Sequence, residues 1–263
     1  MARVTRPPHR QSAQNRIPPD KLPRRQFEEE TGGPSWIWGT HASLAALANP
    51  ARKIERIVAT RNGALRLPAD VDAQILGPDA IDGMLPPGAV HQGLAVRATP
   101  LEPLELEAAC APADTRSVLI LDGVTDPQNV GAAFRSAAAF GARAVILQDR
   151  KSPPLTGVLA KAAAGAIELV PHVRVTNIAR TVETLRGLGY LTLGLEGETD
   201  LAIADALKDQ RPAALVLGAE GKGLREGVAE ACEKRVRIPI ASAIESLNVS
   251  VAAAIALYEA QRR

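Results

Sequence analysis

The sequence predicts an α/β protein whose larger, C-terminal part is a parallel β-sheet with helices on both faces. From residue 117 onward, short apolar runs alternate with longer segments of helical periodicity. The apolar runs are continuous, as is typical of parallel strands that are buried on both sides. The predicted strands are 118–121, 144–147, 191–195, 214–217 and 236–240, and the predicted helices are 127–140, 159–166, 175–188 and 247–261.

A smaller α/β unit precedes this sheet. A helix is predicted over 43–49, where Asn-Pro ends the apolar spacing, and strands are predicted over 54–60 and 93–98. The following segment is rich in Glu, Pro and Ala, which predicts a linker. The predicted organisation is a basic arm (1–33), a small α/β domain (34–100), a linker (101–116) and the sheet domain (117–263).

The near-balanced total charge conceals a basic N-terminus. The whole chain carries +2, but residues 1–25 hold seven Arg or Lys against one Asp and also contain five prolines. Such a segment has too little apolar surface to fold, and it is predicted to be a disordered arm. The arm either binds the phosphates of a nucleic acid by releasing counterions or is a solubilising tail.

Several classes of protein are excluded by composition. No apolar run approaches the roughly 18 residues of a membrane-spanning helix, so no membrane partner is expected. The two cysteines are far apart, which excludes a disulfide framework or a cysteine zinc site and is typical of a cytoplasmic protein. The four histidines are scattered and there is no H-E-x-x-H, so no metal is expected.

Three segments that follow predicted strands are candidates for the chemistry, because ligands of parallel sheets bind at the carboxyl ends of the strands. In the first, Pro127 suits the first turn of a helix on which Val130, Phe134 and Ala137 face the sheet. Arg135 lies on another face between Gly131 and Ala139, where a guanidinium could bind a phosphate. The alternative is an ordinary surface arginine.

The second segment is a strand that runs into the glycine-rich turn 218–223. Its G-x-x-G-x-G spacing differs from both the dinucleotide and the phosphate-loop patterns. Glu220 in this turn would repel a phosphate and better suits a hydroxyl, an amine or a positively charged partner.

The third segment, 238–257, leads into the last predicted helix. Ser246 is predicted to cap this helix, with Asn248 in its first turn. The apolar residues Leu247, Val251, Ile255 and Tyr258 are predicted to form its packed face.

In this order, the three segments resemble the motifs of the SpoU (TrmH-type) branch of the SPOUT RNA methyltransferases. The motifs read D-P-x-N-x-G-A-x-x-R, then L-x-x-G-x-E-G-x-G-L, then I-P-I-x-S-x-x-x-S-L-N-V-S-V-A. The resemblance runs from Val118 to the C-terminus. The preceding unit, with Trp38-Gly-Thr-His-Ala42 and Ala89-Val-His-Gln-Gly93, is similar to the ribosomal-protein L30e-like substrate-binding domain of these enzymes.

The resemblance implies methyl transfer from S-adenosylmethionine to a ribose 2′-hydroxyl of RNA, in a homodimer whose C-terminal part forms a deep trefoil knot. The layout is most similar to enzymes that modify guanosine in 23S rRNA, with a tRNA target or a catalytically silent RNA-binding or ribosome-assembly factor as alternatives. Arg135 is expected to hold a phosphate and assist removal of the hydroxyl proton. The implied reaction centre is Arg135, Asn129, Glu220, Ser246 and Asn248, and the implied cofactor residues are Gly218, Ile238 and Leu247 with Leu217, Ala219, Ile240 and Ser242 beside them.

Overall fold

The structure is a computed structural model that describes residues 33–241 and 245–262. The basic segment predicted at 1–25 and the expected cofactor neighbour Ser242 lie outside these residues. The described part contains one sheet of four strands and one of six. None of the helices within these ranges is long and apolar enough to cross a lipid bilayer.

Residues 35–98 form the first sheet and its helices. The elements are β1 (Ser35–Trp38), α1 (Thr40–Ala48), β2 (Ile54–Ala59), α2 (Arg61–Ala64), β3 (Gln74–Ile75), α3 (Pro78–Asp82) and β4 (Leu94–Ala98). The strand order is β1-β4-β2-β3, and only β2 and β3 pair in parallel. The two predicted strands and the predicted helix are confirmed, although the helix begins three residues earlier than expected.

Strand β1 was not predicted from the sequence. It pairs with β4 so that Ser35 lies opposite Ala98, and Trp38 is buried in a small core with Val58 and Ile81. Four residues are too short a run for an alternating pattern to be distinguished from the start of the following helix.

The segment 101–116, predicted as a linker, is packed against the second sheet. It contains the helix α4 (Leu106–Cys110), and Cys110 is fully buried. The Tyr190 hydroxyl donates to the Cys110 carbonyl at 3.0 Å, and the Leu104 amide donates to the His172 carbonyl at 2.9 Å. The segment therefore connects the two sheets and also packs against the second one.

The second sheet is entirely parallel, as predicted. Its elements are β5 (Val118–Asp122), α5 (Pro127–Ala139), β6 (Ala144–Gln148), α6 (Gly157–Ala163), the 3-10 helix Ala166–Glu168, β7 (His172–Val175), α7 (Ile178–Gly187), β8 (Leu191–Leu195), α8 (Ile203–Ala206), β9 (Ala213–Gly218), α9 (Glu226–Ala231), β10 (Lys234–Val236) and α10 (Val249–Arg262). The strand order is β10-β8-β9-β5-β6-β7. Along β5, Val118 and Ile120 pack into the core on one face, and Leu119 and Leu121 pack into the core on the other.

Two predicted boundaries are wrong. The helix expected over 175–188 begins at Ile178, because the preceding residues form the edge strand β7 and the Asn177 side chain caps the helix by accepting from the Arg180 amide at 3.1 Å. The strand expected over 236–240 ends at Val236, and Pro239 in that stretch has no amide to donate to a ladder.

The predicted packed face of the last helix is also wrong. Val251 and Tyr258 are 46% and 47% exposed, whereas Ala253, Ala256 and Leu257 are buried. The small alanines let α10 approach β9 and α5 closely, and Val251 and Tyr258 lie on the outer face.

The two sheets share one hydrophobic core along a seam, where α1 and β1 pack against α6 and the 3-10 helix. Ile37 and Ala46 of the first unit belong to the same buried cluster as Leu159 and Ala163 of the second. The first sheet is therefore held against the second by packing as well as by the connecting chain.

Candidate active site

The three motif segments meet at the carboxyl ends of β5 and β9. The Asn248 amide group donates to Glu220 Oε1 at 2.5 Å and to Asn129 Oδ1 at 2.9 Å. The Asn129 amide group donates to the same Glu220 oxygen at 3.3 Å. Three of the five residues expected at the reaction centre, separated by up to 119 positions in the chain, thus form one hydrogen-bonded cluster.

Asn129 is oriented by the start of α5. The Asp126 carboxylate accepts from the amides of Gln128 and Asn129, both at 3.2 Å, and Pro127 occupies the first turn. Because Asp126 caps α5, Asn129 lies in the first turn of this helix, next to the end of β5.

Glu220 is presented by a glycine-rich loop that folds back on itself. A Cβ at Gly218 would lie 2.0 Å from the carbonyl of Gly223, and Gly221 and Gly223 have positive φ. Only glycine permits both this close approach and these backbone angles. The Val249 amide also donates to Glu220 Oε1, at 3.3 Å, so one carboxylate oxygen accepts three hydrogen bonds at the N-terminus of α10.

Asp122 anchors the same loop, and it was missed in the sequence. Its buried carboxylate accepts from the backbone amide of Arg225 at 3.3 Å and from Nε of Arg225 at 2.9 Å, and it also forms an ion pair with Nη2. An acidic residue at the end of an otherwise apolar buried strand is the signal that could have indicated this role.

Asn248, not Ser246, caps the last helix. Its side-chain oxygen accepts from the Ser250 amide at 2.9 Å and from the Val251 amide at 3.3 Å. The prediction that Ser246 is the cap is therefore wrong, because the helix begins at Val249, two residues later than expected. Ser246 is exposed and lies at the wall of a cleft.

This cleft has a volume of about 590 Å³ and lies between the turns after β8 and β9 and the segment that leads to α10. Apolar side chains of Leu195, Leu217 and Leu247 line it, together with four glutamates and Lys222. Every described residue that the resemblance assigned to the cofactor lines this cleft, namely Gly218, Ile238, Leu247, Leu217, Ala219 and Ile240.

Arg135 does not join the cluster within a single chain. It is exposed on α5, and among the described residues its guanidinium has no hydrogen bond or ion pair. The small residue preceding it on the same stripe, Gly131, is buried against α6 of the same chain, where a Cβ would lie 2.6 Å from Ala162 Cβ. Gly131 therefore serves the packing of α5 against α6 within the chain.

The described residues do not favour a reaction that uses a cysteine thiolate or a bound metal ion. Burial raises the pKa of the Cys232 thiol to about 12 and that of the Cys110 thiol to about 11, so both thiols are protonated at neutral pH. Within the described ranges, no three His, Cys, Asp or Glu side chains are grouped so that they could hold a metal ion.

Comparison with known proteins gives a consistent result. Residues 116–258 match the SpoU rRNA Methylase family. The 23S rRNA (guanosine-2′-O-)-methyltransferase RlmB of Vibrio cholerae serotype O1 is 41% identical over 241 residues, which cover 86% of this chain and 96% of that protein. The protein of the same name from Escherichia coli (strain K12) is 44% identical over 179 residues, or 67% of this chain and 73% of that protein.

The fold has a solved counterpart. The crystal structure of the SpoU methyltransferase AviRb from Streptomyces viridochromogenes, in complex with the cofactor AdoMet, superimposes with a TM-score of 0.73 at 22% identity and covers 88% of this chain and 91% of that one. Family match, sequence identity and motif geometry agree, and the chain belongs to the SpoU rRNA methylase family.

Proposed function

We propose that this protein transfers the methyl group of S-adenosylmethionine to the ribose 2′-hydroxyl of a guanosine in 23S rRNA. The observation that carries this proposal is the meeting of Asn129, Glu220 and Asn248 beside the cleft. The relatives named for this reaction align with 86% of the chain, including the first sheet, which favours 23S rRNA over tRNA as the substrate. An rRNA substrate also places the protein in the bacterial cytoplasm.

The cleft fits the methyl donor. Its volume lies in the usual range for small-molecule sites, and its apolar lining suits an adenine ring. Glu196, Glu198 and Glu245 in the lining suit a ligand that carries positive charges on a sulfonium and an amine. When bound, S-adenosylmethionine supplies the methyl group. Its positively charged sulfonium already activates the leaving group, so the reaction does not require a metal ion. Gly218, Ile238 and Leu247 would hold it, with Leu217, Ala219 and Ile240 beside them; Ser242, outside the described residues, is also assigned to it.

The polar cluster would orient the substrate. Glu220 Oε1 accepts three hydrogen bonds, from Asn129, Asn248 and the Val249 amide, and these fix the orientation of the carboxylate. We therefore assign Glu220, Asn129 and Asn248 to positioning the loop and the ribose, with Ser246 at the cleft wall. Arg135 is assigned to holding the phosphate beside the reacting hydroxyl and to assisting removal of the hydroxyl proton, which that phosphate would accept.

A homodimer is part of the same proposal. Val251 and Tyr258 expose apolar surface on α10, and the Tyr258 ring stacks edge-on against Phe140 at the end of α5, with 5.8 Å between the ring centroids. Exposed apolar side chains on the outer face of α10, beside the end of α5, favour a second copy of the chain as their cover.

Two finer features of the fold are also proposed here. A deep trefoil knot is supported by the path of the chain from β10 at the sheet edge back past the cleft to α10, which packs on β9 and α5. A ribosomal-protein L30e-like character of the first domain is supported by its four-stranded sheet and three helices.

The test uses the full-length protein and radiolabelled S-adenosylmethionine with three separate substrates: 23S rRNA transcript, 16S rRNA transcript and total tRNA. Label is expected in 23S rRNA alone, at one nucleotide whose 3′ phosphodiester becomes resistant to alkali. Label only in tRNA would replace the rRNA assignment, and no label in any RNA would favour the silent factor. Glu220→Ala serves as the matched variant, with strongly reduced transfer expected.

A further inference from the structure

The turn His91–Gly93 lies at the seam between the two sheets and is held in a strained conformation. Gln92 has φ of +55° although it is not glycine, and Ala164, which follows the last residue of α6, has φ of +50°. These are the two non-glycine residues with positive φ among those described. Such angles are unfavourable for residues with a Cβ, and they cluster where a fold holds a ligand.

Hydrogen bonds fix this turn from both sides. His91 Nδ1 accepts from the Gly93 amide at 2.9 Å, and His91 Nε2 lies 3.3 Å from the Asp82 carboxylate. The Gln92 side-chain oxygen accepts from the Thr40 amide at 3.1 Å and from Lys161 Nζ at 3.2 Å. The turn therefore contacts α1 of the first unit and α6 of the second.

Two cations converge on Gln92. Arg66 Nη1 donates to the Gln92 carbonyl at 3.0 Å and to Thr40 Oγ1 at 3.3 Å, while Lys161 donates to the Gln92 side chain. All three acceptors are neutral, and within the described ranges neither cation is ion-paired with a carboxylate. Burial lowers the pKa of Lys161, and an anion that accepts from both cations would favour the charged form of this lysine.

The contact between α5 and α6 connects this arrangement to the reaction centre. Gly131 brings α5 into contact with the backbone of α6 at Leu159, whose carbonyl would lie 2.7 Å from a Cβ at Gly131. Lys161 is two residues from Leu159 on α6, and Asn129 is two residues from Gly131 on α5.

We propose that Arg66 and Lys161, positioned by Gln92, bind one backbone phosphate of the RNA substrate at the seam. The inference rests on the proposed function, since it requires an RNA that also reaches the cleft. An arginine and a lysine on neutral acceptors match a phosphodiester, which accepts from both without displacing either. The seam site would fix the register of the RNA while Asn129 and its partners meet the target ribose.

The experiment measures binding of a 23S rRNA transcript to the full-length protein without methyl donor, by filter retention at 50–300 mM KCl (about the range used to resolve counterion release). Arg66→Met and Lys161→Met keep the aliphatic stems and remove the charges. Each is expected to weaken binding about tenfold and to reduce the slope of log K against log salt by about 0.7–0.9. The double variant should lose about one unit of slope, not two, because both side chains serve one phosphate.

Arg180→Ala on α7 is the matched control, because Arg180 is exposed and α7 packs in the core on the opposite face of the sheet from the seam. If both Met variants bind the RNA with the same affinity and the same salt slope as Arg180→Ala, the proposal is overturned. Thermal unfolding in inorganic phosphate against chloride separates the sources of the anion. If inorganic phosphate stabilises the wild-type protein but not the Met variants, and RNA binding is unchanged, the site binds a small anion and the proposal is overturned as well.

Because binding is measured without methyl transfer, this outcome and the outcome for the proposed function are independent. In the methyl-transfer assay, the same variants should raise KM for RNA about tenfold and leave kcat and S-adenosylmethionine affinity unchanged. A fall in kcat at saturating RNA would contradict a role confined to phosphate binding.

Discussion

Arg52 and Glu168 form a buried ion pair that crosses the seam between the two sheets. The Arg52 Nη2–Glu168 Oε1 distance is 2.5 Å, and the two side chains are 1% and 2% exposed. Arg52 Nη1 also donates to the Thr99 carbonyl at 2.8 Å, and the Asn49 side chain donates to Glu168 at 2.8 Å. Both charges are therefore compensated by each other and by further hydrogen bonds.

Removal of one charge should be strongly destabilising. Glu168→Gln leaves the Arg52 guanidinium buried without an anion, and the free energy of unfolding is expected to fall by about 3–5 kcal/mol. Urea denaturation measures it. In the control Glu55→Gln, which breaks the half-exposed pair with Arg97, the loss should stay under about 1 kcal/mol. Equal losses in the two variants would contradict the importance of the buried pair.

Two glycines in helices should respond to alanine with opposite signs. Gly131→Ala introduces a Cβ only 2.6–2.7 Å from atoms of α6, and a net destabilisation of about 1–3 kcal/mol is expected despite the better helix propensity. Gly227→Ala in α9 meets no atom within 4 Å, and it should stabilise the protein by up to about 1 kcal/mol. Thermal unfolding of both variants checks the signs, and a stabilised Gly131→Ala would refute the close contact.

Acid should destabilise the protein through His172. Burial, together with the charges of Arg174 and Arg52, lowers the pKa of this imidazole from 6.5 to about 4. The unfolded chain therefore binds a proton that the folded chain does not between pH 6.5 and 4. The stability contributed by His172 is complete above pH 6.5 and falls by about 3 kcal/mol as the pH drops through this window.

Urea unfolding at pH 7.5, 5.5 and 4.5 measures this loss. His172→Gln should lose less stability over that range than the wild-type protein, whereas a substitution of the exposed His41 by Asn should leave the pH dependence intact. A His172→Gln variant with the wild-type pH dependence would show that another group is responsible.

Arg135→Ala should separate catalysis from donor binding. Its side chain does not line the cleft, so the affinity for S-adenosylmethionine, measured by calorimetry, is expected to remain unchanged. Single-turnover methyl transfer should fall by at least about 100-fold if Arg135 holds the phosphate and assists proton removal. Unchanged turnover would reject the assignment, and Arg180→Ala controls for loss of a surface charge.

The oligomeric state should depend on the outer face of α10. Tyr258→Glu places a charge in the exposed apolar patch next to Phe140, and sedimentation velocity is expected to show a monomer where the wild-type chain is a dimer. Leu65→Glu changes an even more exposed apolar residue away from this face and should remain dimeric. A wild-type monomer, or a dimeric Tyr258→Glu, would remove the proposed interface.

The sequence pattern predicted strands correctly where both faces of the strand are buried. Strands β5 and β9 are covered on both faces, so their continuous apolar runs identified them, and both were predicted to within a residue or two at each end. The edge strand β7 was missed because it lacks such a run. The last helix was assigned the wrong face, because alanines such as Ala253 and Ala256 give almost no contrast in hydrophobicity although they decide how closely helices pack.

The site was predictable to the extent that its residues lie in short motifs. Asn129, Glu220 and Asn248 each stand in a recognisable segment, and the structure brings the three together. The pairs Arg52–Glu168 and Asp122–Arg225 are formed by residues 116 and 103 positions apart, and no local periodicity relates them. Only the tertiary arrangement gives such pairs their roles.

Asn248 links the start of α10 to the polar cluster of the candidate active site. The side-chain oxygen holds the first turn of α10, while the nitrogen of the same amide group holds Glu220 and Asn129. Unwinding of the first turn of α10 would therefore free the amide group that holds Glu220 and Asn129, so the start of this helix and the order of the reaction centre depend on the same side chain.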